Sequence, residues 1–164
     1  MEKFDKAVQT LTKGADILAG LGIFLVMLLM VSNILLKNIF KSPIVGTYEY
    51  VGFLTAVAVA LALSHCAYID FHISVGIFVD KMSDRRKAIL ETVTKGFIFI
   101  MMALFSYNIM GYASRVASAG QVSLTTQTPI SIFIHITGIG LGLLALVVLL
   151  QAVSSLLKAV KHGA

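Results

Sequence analysis

The sequence has few charged residues, a single cysteine and no tryptophan. Only 13% of its 164 residues are charged, whereas soluble domains carry about a quarter, so the chain lacks the charges to cover a soluble globule of this size. The one cysteine, Cys66, excludes an intrachain disulfide and a cysteine metal cluster. Without tryptophan, an aromatic belt at a membrane interface depends on tyrosine. The five tyrosines lie near predicted helix ends: Tyr48, Tyr50, Tyr68, Tyr107 and Tyr112.

Long uncharged stretches separate the charges that are present. Those at 17–36, 50–69 and 96–114 each hold about 20 residues, the length of a helix that crosses about 30 Å of hydrocarbon. A fourth stretch is about twice as long, and a polar run before Pro129 divides it. The sequence therefore predicts an all-α integral membrane protein, a single domain over 1–164. Its four transmembrane helices are expected at about 17–36, 49–68, 94–112 and 130–150.

Lysine and arginine are unequally distributed between the two sides that four spans create. With a cytoplasmic N-terminus, ten of them lie inside and three outside, as expected if short cytoplasmic loops retain basic residues. The inner ones are Lys3, Lys6, Lys13, Lys81, Arg85, Arg86, Lys87, Lys95, Lys158 and Lys161, and the outer ones are Lys37, Lys41 and Arg115. We therefore explain the net charge of +5 by topology rather than by nucleic-acid binding, and we predict both termini on the cytoplasmic side.

A short interfacial arm is predicted between the first two helices, at about 37–47. Asn33 and Lys37 lie one helical turn apart near the outer boundary. Phe40 and Pro43 mark the end of the helix, since the residue before a proline is driven from helical geometry. Either Lys37 extends to the headgroups while Asn33 is satisfied locally, or the two residues make a specific contact. The sequence leaves both alternatives open.

Glu49 opens the second apolar segment and is the most informative single residue. A carboxylate at the mouth of an apolar helix is costly against lipid, so it should face protein or water. It could complement the helix dipole or pair with Lys37 or Lys41. It could also couple a proton or cation, or contact another subunit.

Histidines and an aspartate at the end of the second helix raise the question of a metal or haem site. His65 and Asp70 are five residues apart and do not share a helix face, and the distant partner would be His135 on the fourth helix. Along the bundle, His65 and His135 differ in depth by roughly 15 Å, too far to bind one iron. We therefore predict no cofactor and no metal, and interpret His65, Asp70 and His72 as polar anchors.

Two features near the other helices also bear on assembly. Gly138 and Gly142 form a GxxxG spacing, which permits close helix packing either inside the bundle or against a partner. Arg85 and Arg86 lie in a basic segment that is predicted to start the third helix in the cytoplasm.

Several of these positions occur in a characteristic order: Asn33, Lys37, Phe40, Pro43, Glu49, then His72, Ile73, Ser74, Val75, then Arg85, Arg86 and Lys87. This order resembles the DctQ-like small permease, the small membrane subunit of tripartite ATP-independent periplasmic (TRAP) transporters. The resemblance covers about residues 15–150 and agrees in helix number and orientation. The chain departs from the family pattern in having Lys37 where an arginine is expected, and lysine cannot make the planar bidentate contact of arginine.

The resemblance implies a non-catalytic subunit rather than an enzyme, located in the bacterial inner membrane. It implies a much larger membrane subunit that carries the transport path and sodium sites, and a periplasmic binding protein that delivers an organic anion such as a dicarboxylate or sugar acid. The small subunit would brace the large one among membrane lipids and offer part of a docking surface. Its structural or interface candidates are Asn33, Lys37, Phe40, Pro43, Glu49, His72, Arg85, Arg86, Gly138 and Gly142.

Two other functions are considered. A small proton-coupled exporter would be a homo-oligomer with Glu49 as its carrier carboxylate, which requires Glu49 to be water-accessible deep in the membrane. A membrane anchor for a redox enzyme would need cofactor ligands, and the difference in depth between His65 and His135 counts against it.

Overall fold

Four long helices make up the fold: α1 (Glu2–Phe40), α2 (Thr47–Tyr68), α3 (Asp84–Ser118) and α4 (Ser131–Lys161). This computed structural model describes residues 2–69 and 84–161, except for the side chains at 2–5, 84–89, 91 and 157–161. Within the described residues, each helix contains a stretch long and apolar enough to cross a membrane. The predicted all-helical fold with four candidate spans is thus confirmed.

The helices extend beyond the apolar stretches that the sequence marks. α1 begins at Glu2 rather than near residue 17, and its turns around Val8 and Thr12 pack on the rest of the protein. Val8, only 2% exposed, belongs to a buried cluster with Ala67, Leu144 and Val147. α3 likewise continues to Ser118, six residues beyond its predicted end at 112.

The four helices lie side by side in the order α1, α2, α4, α3. α1 packs mainly on α2, α2 also packs on α4, and α3 packs mainly on α4. α2 and α4 run parallel, since the rings of Phe53 and Phe133 stack with centroids 4.8 Å apart and Gly140 lies against Ala60 farther along. The two central helices therefore join two helical hairpins into one layer, with α1 and α3 at its edges.

Glycines on α4 permit the close approach of its neighbours. A Cβ added at Gly140 would lie 2.9 Å from the backbone of Ala60, and one at Gly138 would lie 2.8 Å from the sulfur of Met110. Gly142 is close to Ser106, whose hydroxyl donates a 2.9 Å hydrogen bond to the Gly138 carbonyl. The GxxxG motif thus packs inside the bundle against α3, which answers the question that the sequence left open.

Much of the apolar surface on the two edge helices is exposed in the isolated chain. Leu18 and Phe24 on α1, and Phe97 on α3, each expose more than half of their surface. Exposed apolar area of this extent is typical of surfaces that contact lipid or another protein.

Candidate functional site

The two connections at one end of the bundle meet each other. The first joins α1 to α2 through residues 41–46, and the second joins α3 to α4 through residues 119–130. We call this end of the molecule the loop end. The start of α1 and the end of α4 lie at the opposite end.

Glu49 joins these two connections. Its Oε1 accepts a hydrogen bond from the Thr125 backbone N–H at 2.9 Å. Its Oε2 accepts two more from Thr126, one from the backbone N–H at 3.2 Å and one from the hydroxyl at 3.0 Å. All three donors come from the α3–α4 loop, so the carboxylate at the start of α2 ties that loop to the helix.

Gly46 makes the close approach of this loop possible. It precedes α2 with a φ of 78°, in the left-handed region that favours glycine. A Cβ added there would overlap the methyl carbon of Thr126. The Gly46 carbonyl also accepts the backbone N–H groups of Glu49 and Tyr50, so one residue both starts the helix and receives the loop.

Hydroxyl groups organise the α3–α4 loop from within. The Thr126 hydroxyl donates its proton to Glu49, so it accepts hydrogen bonds from the hydroxyls of Ser123 and Thr128. Thr128 also bonds to the hydroxyl of Tyr50 on α2 at 3.1 Å, and its carbonyl accepts the Ser123 backbone N–H at 2.9 Å. Ser123 is only 3% exposed, whereas the next residue, Leu124, is 94% exposed. The loop is therefore an internally bonded turn that projects one apolar side chain.

Asn33 fixes the α1–α2 connection. Its Oδ1 accepts the backbone N–H of Ile44 at 2.8 Å, and its side chain is 7% exposed. The specific contact considered for Asn33 is therefore with the linker. Because α1 continues from Asn33 to Phe40, it extends about 10 Å past this contact, and the chain returns through residues 41–44.

The other residues predicted to matter in the α1–α2 connection, Lys37, Phe40 and Pro43, lie on its outside. Lys37 is exposed in the last turn of α1, Phe40 ends that helix with 69% exposure, and Pro43 is exposed in the linker. In the part of the chain that the structure describes, no ion pair links Glu49 to Lys37 or Lys41. The helix continues to Phe40, so the non-helical connection is shorter than the predicted arm, and its position at an interface remains a prediction.

Three of the sequence candidates fall where the structure gives no side-chain information. His72 lies outside the described residues, and Arg85 and Arg86 belong to the first turn of α3, whose side chains are not described. Their proposed roles stay predictions.

The two histidines considered as haem ligands are far apart. The pairing of Phe53 with Phe133 sets the register of α2 against α4. In that register His65 and His135 differ by ten residues along the bundle, or about 15 Å. His135 Nδ1 instead bonds the Ser131 carbonyl at 2.7 Å. Among the described residues, no group of three or more histidine, cysteine or acidic side chains forms a metal site.

The sequence interpretation missed the loop partners of Glu49. Thr125 and Thr126 bind it mainly through backbone N–H groups, which every residue except proline possesses, so residue type alone could not identify them. The signal that was available is the hydroxyl-rich run ahead of Pro129, together with Gly46 three residues before Glu49.

The fold and this site define a multi-helix membrane subunit whose polar side chains mostly tie its own connections together. The chain belongs to the DctQ component family of the tripartite ATP-independent periplasmic transporters, whose family model matches residues 26–158. No curated protein matches the chain.

Membership of this family makes the protein the small, multi-pass membrane subunit of a TRAP transporter. DctQ subunits are non-catalytic. By family, the partners are a large membrane component and a periplasmic binding protein. The matched range includes the α1–α2 connection, Glu49, the α3–α4 loop and the glycines of α4.

Proposed function

We propose that this subunit braces the large transport subunit in the bacterial inner membrane during sodium-driven uptake of an organic anion, a dicarboxylate or sugar acid. The binding protein delivers the anion on the periplasmic side, and the large subunit carries it across. The small subunit stays fixed and widens the scaffold against which the transport domain moves.

The bonding of Glu49 to the α3–α4 loop carries this proposal. Three hydrogen bonds hold the loop to α2, and Asn33 holds the α1–α2 linker in the same region. Groups bonded in this way restrict motion of the loop end, as a stationary support requires. A substrate carrier, in contrast, needs groups that change partners during transport.

The distribution of charge supports an orientation with the loop end in the periplasm. The outer basic residues, Lys37, Lys41 and Arg115, lie at the loop end, and the larger basic set lies toward the termini. Basic residues in short loops favour the cytoplasmic side. In this orientation the exposed Leu124 is available to the binding protein.

The proton-coupled exporter is the less supported alternative. Glu49 is the third residue of α2, at the end of the bundle, and both of its carboxylate oxygens accept hydrogen bonds from the loop. A carrier carboxylate would need to lie deep in the membrane and to exchange its proton with both sides.

Purification from the native membrane tests the proposal. The tagged chain is extracted in mild detergent, and the proteins that co-purify are identified by mass. We expect a stoichiometric, very hydrophobic protein several times larger than this chain. A homo-oligomer without such a partner would favour the exporter, and proton-coupled efflux by the chain alone, abolished in Glu49→Gln, would then establish it.

A further inference from the structure

Two adjacent polar side chains point outward from α3, far from either end of the helix. Tyr107 is 79% exposed, and Asn108 beside it is exposed as well. The sequence placed Tyr107 near a helix end, but α3 continues from it for eleven residues to Ser118. We call Tyr107 and Asn108 the polar pair.

Contacts between neighbouring helices give the depth of the polar pair. Ser106, the residue before Tyr107, donates a hydrogen bond to the carbonyl of Gly138 on α4. Two residues farther along α4, Gly140 lies against the backbone of Ala60 on α2. Ala60 is about 20 Å from the start of α2 and about 12 Å from its end. Because α2 has the length of a hydrocarbon core, the polar pair lies inside that core when α2 spans it.

Exposed side chains at the same level of the other helices are apolar: Leu21 on α1, Val59 on α2 and Ile139 on α4. These side chains suit lipid. A tyrosine hydroxyl and an asparagine amide are costly against lipid, because hydrocarbon offers them no hydrogen-bond partner. The polar pair is therefore expected to meet another polar group.

Each member of the polar pair has a hydrogen-bonding group that the described part of the chain does not use. The Tyr107 hydroxyl makes no hydrogen bond with any described residue. The Asn108 amide nitrogen donates to the Leu104 carbonyl at 2.8 Å, while its Oδ1 accepts no hydrogen bond from the same residues. The pair thus presents one donor and one acceptor, on adjacent residues at almost the same depth.

Tyr107 belongs to a row of positions that runs along the outer surface of α3. Alternate steps of three and four residues separate its members, which we call the α3 seam: Phe97, Ile100, Leu104, Tyr107, Gly111 and Ser114. This spacing is typical of helices that pack side by side at a small crossing angle, in coiled coils and in membrane bundles. The apolar and aromatic members are each more than half exposed, and a Cβ added at Gly111 would meet no atom within 4 Å. The described part of the chain therefore leaves the seam uncovered.

We propose that the α3 seam packs against the α3 seam of a second copy of this chain, about a two-fold axis parallel to the membrane normal. Such an axis brings the same residues of the two copies to the same depth. In seam packing, a residue lies against its equivalent on the facing helix and against the residue that follows it. The Tyr107 hydroxyl of each copy then donates to the Asn108 Oδ1 of the other, and two identical hydrogen bonds form.

Self-complementarity favours a second copy over an unrelated helix. An unrelated helix must supply both an acceptor and a donor at this depth, whereas a second copy carries both by symmetry. The inference goes beyond the proposed function, because it joins two transporters through their small subunits. The α1 edge of the layer and its broad faces stay available to the large subunit.

Cysteine crosslinking in membranes that contain the assembled transporter tests the contact. Cys66→Ala removes the native thiol, and Leu104→Cys then places one on the seam. Phe105→Cys is the matched control, because Leu104 and Phe105 are both 53% exposed but Phe105 lies outside the seam. After oxidation with copper phenanthroline, we expect a disulfide-linked dimer of this chain for position 104 and at most a trace for position 105. Equal amounts of dimer at both positions, or none at position 104, would overturn the proposal.

Conservative substitutions test the two hydrogen bonds. Tyr107→Phe removes the hydroxyl, Asn108→Leu removes the acceptor, and either change removes both symmetric bonds. Since a hydrogen bond between membrane helices strengthens association about threefold on average, we expect the dissociation constant of the dimer to rise about tenfold. Energy transfer between labelled transporters in liposomes measures this constant. Tyr112→Phe is the control, because Tyr112 is 51% exposed on α3 outside the seam, and a constant that Tyr107→Phe also leaves unchanged would contradict the polar contact.

Photo-crosslinking separates this proposal from the proposed function. A benzoylphenylalanine in place of Leu104 reacts with whatever covers the seam in the purified transporter. A product with a second copy, in a preparation that contains the large subunit, supports the dimer. A product with the large subunit alone or with lipid alone would overturn it, while the proposed function would stand. A preparation without the large subunit would contradict the proposed function instead, and the crosslinked dimer would remain the result expected here.

Discussion

Gly46 and Glu49 are three residues apart, and the geometry of the loop end depends on both. Gly46 supplies a left-handed turn and an open surface, while Glu49 supplies two acceptor oxygens for the loop. The contact spans more than 70 positions of sequence, from Glu49 to Thr125. A change at either residue should therefore affect the α3–α4 loop as well as the start of α2.

Substitutions at Glu49 should lower stability in a definite order. Glu49→Gln keeps one side-chain oxygen but replaces the other with a donor, which faces the N–H groups of the loop. Glu49→Lys removes both acceptors and places a cation at the positive end of the helix dipole. We expect the thermal unfolding midpoint in mild detergent to fall for glutamine and to fall further for lysine.

Lys41→Gln controls for the loss of a charge near the same end. Because Lys41 is exposed, the thermal unfolding midpoint of Lys41→Gln should match that of the wild type. The same order should hold for co-purification of the large subunit. Equal recovery of the large subunit with both Glu49 variants would show that Glu49 does not contribute to the interface.

Alanine at Gly46 and at Gly120 separates backbone strain from a steric clash. Both glycines have positive φ, 78° and 61°, so each substitution should cost about 1–2 kcal/mol of unfolding free energy through the backbone alone. Of the two, only Gly46 also has a neighbour in the way, because an added Cβ would overlap the Thr126 methyl carbon. Gly46→Ala should therefore destabilise clearly more than Gly120→Ala. Equal losses, measured by thermal unfolding in detergent, would show that the loop does not approach Gly46 this closely.

The sequence was most informative about the number and the approximate position of the helices. Uncharged stretches of about 20 residues were sufficient to locate four helices. The ends were harder to predict, because the part of α1 before residue 17 is held by tertiary contacts such as those of Val8 rather than by hydropathy. The partners of Glu49 and the direction in which the α4 glycines face also depend on the packing of distant segments, which no local pattern encodes.

The contact between α2 and α4 depends on Gly140. An added methyl group would lie 2.9 Å from the backbone of Ala60, which cannot rotate away as a side chain could. We expect Gly140→Ala to destabilise the protein by about 1–3 kcal/mol, the usual cost of overpacking. Gly111→Ala, in open space on α3, should be stabilising by up to about 1 kcal/mol from helix propensity. Unfolding midpoints that rise for both variants would contradict the packing.

The α1–α2 hairpin depends on Asn33. Asn33→Leu keeps a similar volume but removes the acceptor for the Ile44 N–H, at a cost of about 1–3 kcal/mol for a donor left without its partner. Hydrogen exchange at the Ile44 amide should become faster. Asn38→Leu is the matched control on the same helix, because Asn38 is exposed. Exchange at Ile44 that is unchanged in Asn33→Leu would rule out the contact as a constraint on the linker.

At the scale of the whole molecule, the helices have unequal lengths. α2 is about 33 Å long and suits the hydrocarbon core, whereas α1, with 39 residues, is about 58 Å long. In the proposed orientation, the N-terminal turns of α1, the start of α3 and the end of α4 extend past α2 toward the cytoplasm. A layer of this kind presents broad faces along its length, and we propose that one of them supports the large subunit.

Reconstituted transport measures the bracing role most directly. The large subunit is placed in liposomes alone or with this chain, and uptake of labelled succinate and labelled gluconate is followed under an inward sodium gradient with the binding protein outside. Vesicles without the binding protein are the control. We predict that uptake of at least one of these anions requires the small subunit and falls to a small fraction without it. Uptake at the full rate by the large subunit alone would contradict the account.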